Sequence, residues 1–289
     1  MKKFQKGKHI IIWGDVIESL SEIENNSIDL IFADPPYNIG KKFGDVFYRW
    51  KSEEAYLEWS YKWLDLCIEK LKSNGSMYVM TSTQNMSYFD VFLRTKITIL
   101  SRIIWYYDSS GVQARKYFGS RYEPILFCVK DKKNYTFNTN DILVEARTGA
   151  VRKLIDYRKR KPALYNSKKV AGNVWEFTRV RYRMNEYENH PTQKPEALLT
   201  RIIKVSSNKD EIILDPFSGT FTTSFIAKKL IRKSIGIEIN EEYIKIGLRR
   251  LQFTSKYKGV SLKKDRKPLN FPSRKYKETL NLVGEENGT

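Results

Sequence analysis

Asp34-Pro35-Pro36-Tyr37 comes directly after the apolar run Ser27–Ala33. Prolyl nitrogens carry no proton, so this stiff corner offers only acceptors: the Asp34 carboxylate and backbone carbonyls such as that of Pro35. Tyr37 adds a flat face. Acceptors beside an aromatic plane suit a heteroaromatic ring with an exocyclic amine, although a rigid strand-to-loop corner with a packed tyrosine would look the same. A second constellation is Leu214-Asp215-Pro216-Phe217-Ser218-Gly219-Thr220, followed about twenty residues later by Glu238 at the end of Ile235-Gly236-Ile237-Glu238. A small-residue turn after a strand lets a ligand approach the backbone, and an acid at that spacing suits the hydroxyls of a ribose. No Lys-Ser/Thr pair follows the glycine, so this is not a phosphate loop. A dinucleotide fold of unrelated use, or a tight turn with a surface glutamate, would read alike. The third is His190-Pro191-Thr192-Gln193-Lys194-Pro195, leading into a helix. Helix N-termini favour anions, so Lys194 and nearby amides could hold a carboxylate, or the lysine could simply be solvated.

The elements that must position these groups alternate between strands and helices. His9–Trp13 and Ser27–Ala33 read as buried parallel strands feeding loops at their C-terminal ends. Residues 53–72 read as a helix, with Glu53 and Glu54 in its first turn, an apolar face that includes Tyr56, Leu64 and Cys67, and Gly75 as its stop. Ser76–Met80, Ser101–Tyr106 and Ile125–Lys130 read as strands and 86–95 as a short helix. The alternation resumes at Pro195, placed at a first helical position. Strands Glu211–Leu214 and Ser234–Glu238 and helices Thr222–Ile231 and Glu241–Leu251 follow. The pattern predicts an α/β fold with a mainly parallel sheet covered on both faces. Between the halves, Arg147 to Arg183 carries twelve Lys and Arg against Asp156 and Glu176, with five aromatics and little periodicity. It reads as an insertion outside the layered core. The expected organisation is 1–130 and 187–252 as the two parts of one core, 131–186 as the insertion and 253–289 as a basic, loosely ordered tail.

The chain has 289 residues and a formal net charge of +19, so a polyanion, nucleic acid above all, is the favoured partner. Hydrophobic residues make up 41%, enough for a core and against wholesale disorder. No run approaches the ~18 apolar residues of a membrane span. The start has only a five-residue apolar run, a poor signal peptide, and a cytoplasmic protein is expected. Two Cys and two His cannot supply a zinc cluster or a disulfide framework, so no metal is expected. Cys67 and Cys128 sit in apolar segments and read as core.

Taken together, an acid for a ribose, a site for a carboxylate and a pocket for an amine-bearing ring describe S-adenosyl-L-methionine methylating an exocyclic amine. In this order, over nearly all of residues 8–252, the chain resembles the β-arrangement DNA amino-methyltransferases, in which the base-binding motif precedes the cofactor motif. SIDLIFADPPYNIG, YDSSGVQA, NVWEF, RVRY and YENHPTQKPEALL carry the likeness. The resemblance implies a Rossmann-like fold with permuted motif order and an inserted target-recognition region. It implies an N6-adenine methyltransferase acting on double-stranded DNA, with the base flipped out of the duplex, a short palindromic target such as ATGCAT, and dimerisation.

By the same resemblance, Asp34 and the Pro35 carbonyl, stiffened by Pro36, take the target amine, and Tyr37 stacks on the base. Asp15 contacts the cofactor adenine. Asp215, Phe217 and Gly219 line the cofactor, with Glu238 on its ribose. Thr192, Gln193 and Lys194 hold the methionine end. Lys41 and Lys42 lie near the flipped base, and Arg179 and Arg181 belong to the recognition region. One departure stands out: Phe221 occupies the place of a second glycine in DPFxGxGT, so either the backbone differs there or the side chain packs in its own way. Three rivals remain. N4-cytosine methylation uses the same physics, but a serine is commoner at the position of Asp34. Guanine-N2 methylation of ribosomal RNA normally has the cofactor motif first. An inactive DNA-binding protein would not need the complete set of site residues.

Overall fold

The computed structural model describes residues 1–38, 50–108, 115–146 and 152–253, together with the backbone of 42–43 and 46–47. The expectations for Lys41, for the side chain of Lys42 and for the tail beyond 253 fall outside the described residues.

Among the described residues, nine strands form one sheet. In chain order they are β1 (Lys2–Lys6), β2 (His9–Trp13), β3 (Ile28–Ala33), β4 (Leu71–Met80), β5 (Thr98–Tyr106), β6 (Tyr122–Val129), β7 (Val174–Glu176), β8 (Ile212–Asp215) and β9 (Lys233–Glu238). Their spatial order is β1-β2-β9-β8-β3-β4-β6-β5-β7. From β2 through β4 every neighbouring pair is parallel. β1 is antiparallel to β2, and β6 is antiparallel to both β4 and β5. The sheet is therefore mainly parallel, with one antiparallel edge strand and one reversed strand inside it.

The helices are α1 (Val16–Ser21), α2 (Glu53–Lys70), α3 (Met86–Arg94), α4 (Glu196–Ser206), α5 (Thr222–Lys229) and α6 (Glu241–Arg250). Strand β3 is buried at every position, and successive residues face opposite layers, as a strand with both faces covered requires. Ile31 and Ala33 join Leu20 and Trp63 of α1 and α2 and Phe89 of α3. Leu30 and Phe32 join Leu199 and Ile202 of α4 and Ile226 of α5. Both cysteines are free and buried, and burial pushes their thiols well up.

Three local expectations are corrected. Helix α2 begins as predicted, with Ser52 accepting from the Ala55 amide, but it ends at Lys70. Leu71 is already extended and starts β4, so Gly75 lies within a strand and stops no helix. Leu71 was apolar at helical spacing, and no linker separates the elements. Pro195 is the N-cap of α4 at ψ 142°, one residue before the first helical position. Its place at N1 is taken by Glu196, whose amide donates to the Glu186 carboxylate at 2.6 Å. Finally, part of the basic stretch does belong to the layered core. Val174–Glu176 pairs in parallel with β5, and Trp175 is buried in the α4-side layer. Within the same stretch, Ile155–Asp156 pairs with Ala163–Leu164, and Lys168–Val170 pairs with Leu143–Glu145.

Candidate active site

Strands β2, β9, β8 and β3 run side by side in one direction, so four acids from distant parts of the sequence gather at one edge. Asp15 follows β2, Glu238 ends β9, Asp215 ends β8 and Asp34 follows β3. In the pairing register, Trp13 faces Glu238 and Asp215 faces Gly236. Ligands of open α/β sheets bind beyond this edge. A cavity of about 530 Å³ lies there, in the range of small-molecule sites. It is lined by all four acids, by Pro35, Pro36 and Tyr37, by Thr192, Gln193 and Lys194, and by Phe217, Gly219 and Arg179.

At one end, Asp34 is enclosed by partners on side chains. Lys194 Nζ is 2.6 Å from one Asp34 oxygen, and the Tyr37 hydroxyl donates to the other at 2.8 Å. Glu123, near the start of β6, closes the group. Its carboxylate lies 3.5 Å from Lys194 Nζ and 3.1 Å from the Tyr37 hydroxyl, and it accepts from the Tyr107 hydroxyl at 3.2 Å. Burial pushes Asp34 up, Lys194 pulls it back and Glu123 adds to the rise, leaving it raised. Burial pulls Lys194 down, but Asp34 and Glu123 together outweigh it and leave the ammonium raised. Tyr37 is pushed well up, by burial first and then by the two carboxylates. The Lys194 cation therefore opposes the rise that burial imposes on Asp34 and pairs with its carboxylate.

At the other end, the acids are held by backbone. Glu238 accepts from the amides of Gly219 at 2.8 Å, Ile239 at 2.9 Å and Asn240 at 2.8 Å. Asp215 accepts from the Phe217 amide at 3.0 Å and the Thr223 hydroxyl at 2.5 Å. Burial nevertheless pushes both carboxyls up to about 7. Gly219 sits at φ +48°, where a side chain is strained, and a Cβ there would meet His190 Nε2 at 3.1 Å. Burial lowers His190 to about 3, so it is a neutral imidazole. Asp15 caps α1, accepting from the Ile17 amide at 2.8 Å.

Phe221 settles the irregularity in this turn. Its backbone keeps the left-handed conformation of a glycine, φ +58°, at the N-cap of α5. The ring is fully buried and turned away from the cavity, against Ile11, Ile244 and Leu248. Gly236 on β9 and Gly247 on α6 make its slot: a Cβ on either would lie 2.7 Å or less from the ring.

A family model described as DNA methylase matches residues 28–249. The chain belongs to the DNA methylase family. The DNA adenine methyltransferase YhdJ of Escherichia coli (strain K12) is 57% identical over 265 residues, covering 92% of this chain and 90% of that protein. The type II methyltransferase M.HpaI of Haemophilus parainfluenzae is 38% identical over 243 residues, covering 83% and 73%. Among solved structures, the PvuII DNA methyltransferase (cytosine-N4-specific) superposes with a TM-score of 0.63 at 17% identity, covering 85% of this chain and 86% of that one. The M1.HpyAVI–SAM complex superposes at 0.58 with 24% identity, covering 83% and 98%. The Rossmann-like α/β fold expected from the sequence is the fold they share.

In this methylase, the residues expected around base and cofactor gather at one cavity, apart from Lys41 and the side chain of Lys42, which lie outside what is described, and Arg181, which is exposed and absent from the lining. Arg179 lines the wall, its guanidinium 5.0 Å from the Tyr107 ring. Two residues are engaged differently from the expectation of a methionine-holding cluster. The Gln193 side chain clamps the preceding loop, accepting from the Glu188 amide and donating to the Glu186 carbonyl. Lys194 points at Asp34. Glu123 and Tyr107 were missed, as were Trp50, Trp59 and Tyr243 in the walls. Glu123 had a faint signal, a lone acid before proline at the head of the apolar run Tyr122–Val129. Among the described residues, no group of three His, Cys, Asp or Glu could hold a metal, and no helix is long and apolar enough to cross a membrane.

Proposed function

We propose that this chain is a site-specific DNA methyltransferase that transfers a methyl group from S-adenosyl-L-methionine to the N6 amine of an adenine flipped out of double-stranded DNA. The observation that carries the reading is the placing of Asp34, ion-paired to Lys194, in the same cavity as the backbone-held Glu238 and Asp215. The 57% identity to a DNA adenine methyltransferase over 92% of the chain supports adenine as the base.

The cavity suits the cofactor by its donor set. Glu238 can accept from ribose hydroxyls, Asp15 would face the adenine, Gly219 keeps its turn free of a side chain, and Phe217 supplies an apolar wall. Thr192 and Gln193 would hold the methionine end. Lys194, engaged by Asp34 and Glu123, serves the base end. Bound there, S-adenosyl-L-methionine supplies an electrophilic methyl group on sulfur.

The remaining work belongs to the chain. The N6 lone pair of adenine is delocalised into the ring and is a poor nucleophile. Asp34 and the Pro35 carbonyl accept hydrogen bonds from the two amine N–H groups and favour a tetrahedral nitrogen with a localised lone pair. A carboxylate has about four lone-pair sites, so Asp34 can take the amine while still accepting from Lys194 and Tyr37. Tyr37 is tethered at its hydroxyl, which fixes the ring to stack on the base. That stacking offsets part of the cost of unstacking the base from the duplex. Arg179 and the basic stretch around it supply phosphate contacts and base reading from the insertion at 131–186. A palindrome such as ATGCAT is the proposed target.

The test is transfer of labelled methyl to unmethylated genomic DNA, digested to nucleosides and mapped by sequencing. Label in N6-methyladenine at one short sequence is expected. Label in N4-methylcytosine overturns the choice of base, and absence of label from DNA overturns the substrate.

A further inference from the structure

Between β5 and β6 the chain carries an exposed aromatic pair that the site so far leaves unused. Phe118 is 105% exposed and Tyr117 is 72% exposed. The nearby cations Arg115, Lys116 and Arg121 are exposed as well, with Arg121 paired to Asp108 at 2.6 Å. Apolar rings flanked by cations match the chemistry of a nucleic acid, where bases stack and phosphates pair.

The position is equally specific. Ser120 and Tyr122 line the cavity, and the next residue, Glu123, touches the Asp34 group. Phe118 is two residues from Ser120, within about 7 Å along an extended chain. That is about two base-pair steps of 3.4 Å. The root of the segment is pinned: the Tyr107 amide donates to the Arg121 carbonyl at 3.0 Å, and the Ser120 hydroxyl to the Tyr122 carbonyl at 3.0 Å. Phe118 therefore lies within reach of the mouth of this cavity.

We infer that Phe118 is a wedge that enters the DNA duplex beside the flipped base and holds open the place it has left, with Arg115 and Lys116 on the adjoining phosphates. This rests on the reading of the chain as a methyltransferase acting on a base outside the duplex. Extruding a base costs unstacking and unpairing, and an apolar side chain inserted at the step offsets that loss. The wedge therefore matters most when the target base is fully paired, and least when its partner is missing.

The experiment measures kcat/KM for the full chain on two duplexes carrying the site mapped for the wild-type protein. One is fully paired, and the other has an abasic position opposite the target adenine. Phe118→Ala is expected to be about tenfold or more slower than wild type on the paired duplex, and within about threefold of wild type on the abasic one. Phe118→Trp, which keeps a flat apolar ring, is expected to restore activity on the paired duplex. An equal loss on both duplexes overturns the wedge, as does no loss on either, or a Trp variant as slow as the Ala variant. Sedimentation of Phe118→Ala as a smaller species than wild type also overturns it, since the ring would then serve contact between two copies of the chain. Wild-type protein inactive on both duplexes overturns the underlying methyltransferase reading and the wedge with it.

Discussion

At the Asp34 end of the cavity, charged side chains are partnered by one another; at the Glu238 end, carboxylates are partnered by the backbone. Asp34, Lys194, Glu123 and the Tyr37 and Tyr107 hydroxyls come from four separate segments and partner one another through side chains, with one backbone contact, from Lys194 to the Thr192 carbonyl at 3.2 Å. Glu238 and Asp215 take four backbone amides between them and one threonine hydroxyl. Side-chain partners can shift when a substrate amine arrives, whereas amides fixed in a turn cannot. The base end is thus built for exchange, and the cofactor end is set by the fold itself. Chemistry and cofactor binding should accordingly separate along the cavity.

The largest effect is expected from Asp34→Ala. Methyl transfer should fall by about 10³-fold, the scale of removing one group that stabilises the transition state, with cofactor affinity near wild type and a lowered unfolding temperature, because buried Lys194 loses its nearest carboxylate. Single-turnover rates, thermal unfolding and equilibrium dialysis check the three quantities. Next is Glu238→Ala, at the other end. Losing hydrogen bonds to a charged group, roughly 1.5–3 kcal/mol, is expected to weaken cofactor binding about 10- to 100-fold. It too lowers the unfolding temperature, because three amides lose their acceptor.

Gly247→Ala is expected to cost about 1–3 kcal/mol of stability, since its Cβ would lie 2.3 Å from the Phe221 ring, which has no slack. The unfolding temperature should drop by roughly 2–4 °C per kcal/mol. In the double variant with Phe221→Ala, which removes the ring, the two costs should fail to add. Strict additivity would break the account of Phe221 as the clamp on this turn.

The smallest effect is that of pH. Asp215 and Glu238, pushed up to about 7 by burial, retain protons that the unfolded chain has released above about pH 4. Their contribution to the stability of the cofactor-free protein therefore falls as pH rises from about 4 through 7. Cofactor affinity moves the other way, rising from pH 6 to 8, because an ionised Glu238 accepts from a ribose diol. Glu238→Gln should flatten its share of both profiles, read as the difference from wild type.

The chemistry-bearing corners were legible in the sequence because each sits at the sharp end of an apolar run. Asp34-Pro35-Pro36-Tyr37 closes β3, Asp215 ends β8 and Glu238 ends β9, so strand periodicity alone placed three acids at strand ends. What that periodicity could not supply was registration across the sheet. Glu123 meets Asp34 because β6 is reversed against β4, which nothing near residue 123 announces. The three-residue strand at Val174–Glu176 is too short to show a period and is held by its pairing with β5 and the burial of Trp175. The α2–β4 junction was misplaced because Leu71 continues the apolar helical spacing while its backbone is already extended. Phe221 was visible as an oddity, but the two glycines that receive its ring lie 15 and 26 positions further on, in different elements.

The division of labour between the two ends is tested most directly by measuring cofactor affinity and single-turnover methyl transfer on the same preparation of Asp34→Ala. The account predicts an unchanged dissociation constant for S-adenosyl-L-methionine together with the near-complete loss of label in N6-methyladenine. A variant that loses affinity in proportion to rate, or that still transfers methyl groups at the wild-type rate, would contradict it.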